Sequence, residues 1–97
     1  MSMNKYGAQA KSHWQKWLPK RYAKITDPDA FFRSLGEEIE IEVDELSRNL
    51  AGEDPPGEGF LDKLGRLNMA RQQAEERVLR ELALLGPESE TEETASS

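Results

Sequence analysis

From Asp27 onward the chain reads DPDAFFRSLGEEIEIEVDELSRNLAG, and its apolar positions recur with the period of a helix. Asp27 is placed to cap the first turn, Pro28 suits the first helical position, and Ala51-Gly52 marks a stop. At about 100° per residue, Phe32, Leu35, Ile39, Val43, Leu46 and Leu50 fall within roughly 40° of one line, a stripe fit for burial. Inside it, Ile39, Ile41 and Val43 alternate with acids as a half-buried strand would. The longer helical period overrides that local alternation, although the β-branched residues and Gly36 lower helix propensity.

The next eight residues, GEDPPGEG, cannot continue a helix and predict a connection over 52–59. A second helical stripe follows in Phe60, Leu64, Leu67, Ala74, Val78, Leu82 and Leu85, closed by Gly86-Pro87. Two helices of about 36–40 Å each predict an antiparallel hairpin. Upstream, Tyr6, Ala10, Trp14 and either Trp17 or Leu18 sit at helical spacing, and Pro19 ends that helix or starts another turn. These aromatics, with Tyr22 and Ile25, are the natural third layer over the hairpin. The expected organisation is an all-α chain: a basic aromatic N-terminal helix and linker (1–26), a long helical hairpin (27–86) and a disordered acidic tail (87–97). A chain of 97 residues buries a modest core, so dimerisation into a four-helix bundle is the simplest closure for leftover apolar surface.

Charge changes this picture through its distribution. The net charge is -6, yet residues 1–24 hold six bases and no acid, so the remaining seven bases and nineteen acids sum to -12. A basic arm and an acidic body can face different partners. The absence of cysteine excludes disulfides and thiolate chemistry and fits a reducing cytoplasmic setting. No apolar run approaches the ~20 residues of a membrane helix, and the N-terminus lacks a signal-peptide core, so no membrane partner is expected.

Catalytic chemistry is sparse. His13 is the one histidine and has no acid near it in sequence, so nucleophile–histidine–carboxylate sites would all depend on a residue better suited to a structural role. A carboxylate di-iron centre needs Glu-x-x-His pairs, which are missing, and the glycines of the connection lack the Lys-Ser/Thr of a phosphate loop. No cofactor, no metal and no enzymatic activity are therefore expected.

Two surfaces remain as binding candidates. Opposite the first stripe, Glu37, Glu40, Ile41, Asp44 and Glu45 form an acidic face around one apolar residue. A solvated helix face is the plainer account; the sharper one is a dock for a protein partner, or an acidic inhibitor imitating nucleic-acid phosphates as anti-CRISPR-like proteins do. The segment 11–24 interleaves Trp14, Trp17 and Tyr22 with Lys11, Lys16, Lys20, Arg21 and Lys24, the cations and rings of a nucleic-acid accessory factor. The same aromatics at helical spacing also suit a core. Arg71 lies on the centre line of the second stripe, and a buried guanidinium there needs a carboxylate, for which Glu42 on the facing helix is expected.

The last helix, LNMARQQAEERVLREL, resembles the C-terminal segment of the transposon-encoded protein V family, small helical proteins of integrative and conjugative elements. Asn68, Arg71, Ala74, Glu75, Val78, Leu79, Glu81 and Leu82 match its pattern, and Tyr6-Gly7 with the basic-aromatic stretch is similar too. The likeness covers most of residues 6–85 and departs at DPPGEG and the acidic tail. It implies a mobile-element or phage context and no catalytic residues.

Overall fold

Asp27 accepts a hydrogen bond from the Ala30 amide at 3.2 Å and so starts a 24-residue helix with Pro28 in its first turn. In the computed structural model, which describes residues 3–83, four helices follow one another: α1 (Lys5–Trp17), α2 (Pro19–Ala23), α3 (Pro28–Ala51) and α4 (Phe60–Leu82). No strand occurs among the described residues, and the chain is all-α. Gly52 closes α3 at φ 66°, a left-handed conformation that glycine adopts without a Cβ penalty. The tail over 87–97 and the expected helix end at Leu85 to Pro87 lie outside the described residues.

The competition between strand and helix over 39–43 is settled by burial. Ile39 and Val43 are fully buried, whereas Ile41 is 64% exposed; a strand would put all three on one face, and only a helix separates the middle one from the other two. α3 and α4 pack side by side with the chain reversed: Arg66 of α4 reaches the Ala51 carbonyl, and Arg71, further along α4, reaches Asp44, earlier in α3. Arg66 also bonds Asp54 and Glu58, and Lys63 pairs with Asp54, so the connection is pinned to the start of α4.

α1 is the third layer. Asn4 caps it by accepting from the Gly7 amide at 2.9 Å, and the same side chain donates to the Gly36 carbonyl. Gly7 and Gly36 let α1 and α3 cross at close range: a Cβ on Gly36 would lie 2.7 Å from the Gly7 nitrogen and 2.9 Å from its Cα. Tyr6 and Ala10 thereby join Phe32, Ile39, Val43, Ala74, Val78, Leu79 and Ala83 in one core. Leu18, not Trp17, turns inward, and Pro19 begins the short α2. Around Phe32, the rings of Trp14, Phe31 and Tyr22 have centroids 5.4, 4.9 and 6.0 Å away.

The second stripe divides along its length. Ala74 and Val78 are buried, with Leu82 partly so, but Phe60, Leu64 and Leu67 face solvent. The core instead takes in Leu79 and Ala83, which the hairpin pattern alone leaves off-centre, because the Tyr6 and Trp14 side chains of α1 reach over that side of α4.

Candidate functional site

On α3, the periodicity that buries Ile39 and Val43 turns Ile41 outward among acids. Glu37 and Glu45 lie one turn away on either side, Glu38 and Glu42 flank it, and all four are exposed. Two of the expected members are otherwise engaged. Glu40 is exposed but receives a long hydrogen bond from Asn4 at 3.4 Å, and Asp44 is half-buried and bonded to Arg71. Glu38 takes their place beside Ile41, a neighbour that helical spacing (three residues) could have identified.

Arg71 pairs with Asp44, not Glu42: its Nη1 is 2.8 Å from Asp44 Oδ1. Glu42 and Asp44 flank the buried Val43 on opposite edges of α3, and Tyr6 draws the guanidinium toward the edge that faces α1. Nor is the pair buried, since the Arg71 and Asp44 side chains keep 43% and 45% of their exposure. Glu42 instead borders a shallow groove with Glu45, Leu46, Asn49, Arg77, Val78 and Glu81.

Tyr6 connects this pair to a second one. Its hydroxyl donates to Glu75 Oε2 at 2.7 Å and accepts from Arg71 Nη2 at 3.3 Å, while Lys5 lies 3.0 Å from the same Glu75 oxygen. The Tyr6 hydroxyl and the Lys5 ammonium hold the Glu75 carboxyl below its ordinary range. Burial, then the hydrogen bond to Glu75, raises the Tyr6 phenol. The chain Lys5–Glu75–Tyr6–Arg71–Asp44 thus ties α1, α3 and α4 together.

The basic aromatic segment separates into inward and outward parts. Trp14 and Tyr22 are half-buried against the core, and the Trp14 indole donates to the Ala83 carbonyl at 2.8 Å. Lys11 pairs with Asp29 at 2.7 Å. Trp17 remains exposed with the Lys16 ammonium 5.0 Å from its ring centroid, and Lys20, Arg21 and Lys24 are exposed on and just beyond α2. Two of the three rings therefore serve packing, which leaves Trp17 as the exposed one.

Among the described residues no three His, Asp or Glu side chains converge as a metal site, and no helix is long and apolar enough to cross a membrane. Comparison with known proteins finds no matching family model, no matching curated protein and no matching solved structure.

Proposed function

We propose that this chain is a small, non-enzymatic, cytoplasmic interaction protein that docks a protein partner through the outer face of α3, in the mobile-element or phage context its last helix suggests. The observation that carries the reading is Ile41, 64% exposed and bordered by Glu37, Glu38, Glu42 and Glu45. A β-branched apolar side chain gains nothing from water or from helix propensity at that position, and it gains from an apolar contact. The surrounding carboxylates specify a partner whose own apolar contact point is rimmed by lysine or arginine, and they would speed its approach.

Capture from extracts of the native cell, comparing the wild-type chain with Ile41→Lys at matched melting temperature, tests this. A basic protein retained by wild type and released by Ile41→Lys supports the reading. Equal retention by both chains contradicts it. The nucleic-acid reading of residues 11–24 makes a separate demand: DNA affinity falling by orders of magnitude between about 50 and 200 mM salt. With Trp14 and Tyr22 packed inward, Trp17 is the ring left to support it.

A further inference from the structure

α1 packs along α3 and reaches α4 through the side chains of Tyr6 and Trp14, covering one end of the trough between the two long helices. Asn4 and Tyr6 at its start meet Gly36 and Glu40 on one side and Arg71 and Glu75 on the other. From there it runs away from the connection, so that Trp14 ends beside Ala83. Toward the connection the trough continues without α1. Ser47, Arg48, Ala51 and Gly52 face Leu67, Asn68 and Arg71 across an open groove of about 440 Å³. At about 100° per residue, Ser47 and Ala51 extend the line on which Gly36 and Glu40 meet α1, and Leu61 and Leu64 extend the line of Glu75 and Leu79. The sequence therefore continues a surface shaped for a third layer past the point where its own third layer begins.

Large apolar side chains lie on the same halves of α3 and α4, Leu67 within the groove itself. Phe60 and Leu61 are 79% and 78% exposed, and Leu50, Leu64 and Leu67 are exposed around them. Together they present on the order of 500 Å² of apolar area, as much as the largest patch on an ordinary monomer and typical of patches with a function. The surface is also held in shape, because Arg66 ties the Ala51 carbonyl, Asp54 and Glu58 together at its edge.

The charges around it select the occupant. Arg48, Lys63, Arg66 and Arg71 offset Glu53, Asp54, Glu58 and Asp62, so this end is nearly neutral. A nucleic acid would require surplus bases and a basic protein surplus acids; an identical copy requires that neither be in surplus. We propose that the connection halves of two chains dock on each other in a two-fold contact, each α3–α4 pair supplying the third layer that the other lacks. Two such patches bury roughly 1,000 Å² of apolar area, which with a polar rim reaches the range of stable interfaces. The contact is independent of the Ile41 face, where opposing glutamates would repel a second copy.

Light scattering on the full chain across about a hundredfold range of concentration tests this. The expected mass rises from 11.0 kDa toward twice that value. Phe60→Lys and Leu61→Lys alter side chains already in solvent, so both should keep the parent's helical circular dichroism while weakening association at least tenfold. Ile41→Lys should associate as the parent does. A mass of 11.0 kDa throughout the range overturns the proposal. So does association that survives both Phe60→Lys and Leu61→Lys, or that is lost in Ile41→Lys.

Discussion

Gly36 shows how much of this fold rests on single side chains, or on the lack of one. Its Cα meets the backbone of Gly7, and an added methyl would collide with the Gly7 nitrogen and with the Asn4 side chain that caps α1. Gly36→Ala, although it raises helix propensity, should destabilise the protein by about 2 kcal/mol or more, read as a lower melting temperature. Charged residues should matter less. The Arg71–Asp44 pair is nearly half exposed, so Asp44→Ala should cost below about 1 kcal/mol, and Glu42→Ala, which leaves Arg71 paired, should be close to neutral. Glu75 contributes through pH. Its folded-state pKa lies below the ordinary 4.5, so its stabilising share is present above that value and is lost as pH falls through the folded pKa. Thermal melts at about pH 7 and pH 3 should therefore show a smaller acid loss for Glu75→Gln than for the parent. An equal loss in both chains would remove Glu75 from the acid response.

At the scale of elements, the long helices were legible and their cover was not. Asp27, Pro28 and Gly52 bound α3 where capping chemistry requires, and the spacing of Phe32, Ile39 and Val43 identified its buried face. The same reasoning placed Phe60, Leu64 and Leu67 inside, yet they are exposed, because periodicity reports which face is apolar and not how far a third helix extends over it. Asp44 leaves the open acidic face for a related reason: one edge of α3 gains the Arg71 and Tyr6 side chains as neighbours once α1 packs along it. Leu18 and Trp17 were indistinguishable by period, and the turn at Pro19 decided between them. Arg66 gives no periodic signal, since its partners lie in the connection and at the very end of α3. It holds Ala51, Asp54 and Glu58 around the connection. Arg66→Ala should loosen that end while leaving the α1 contacts intact. Amide exchange should accelerate over 48–64 and stay unchanged near Tyr6 and Ala10; uniform acceleration would mean that Arg66 supports the whole core instead.

The described residues form a thin slab of 55 × 34 × 18 Å, about two helix diameters through. So thin a body gives each long helix an outer face, and the charge distribution makes those faces differ. α3 turns Glu37, Glu38, Glu42 and Glu45 outward around Ile41; α1, α2 and the residue after α2 carry Lys16, Lys20, Arg21 and Lys24 near Trp17; the connection end is apolar and nearly neutral. One slab can thus hold separate contacts without one obstructing another. The proposed contact of the α3 face around Ile41 with a basic protein is the one on which the other surfaces depend least. Photo-cross-linking inside the native cell, from a probe at position 41 and from a control at the exposed Gln73 of α4, tests it most directly. One discrete adduct with a basic protein is expected from position 41, absent from position 73 and weakened by salt. Identical adducts from both positions, or adducts to nucleic acid from position 41, would contradict it.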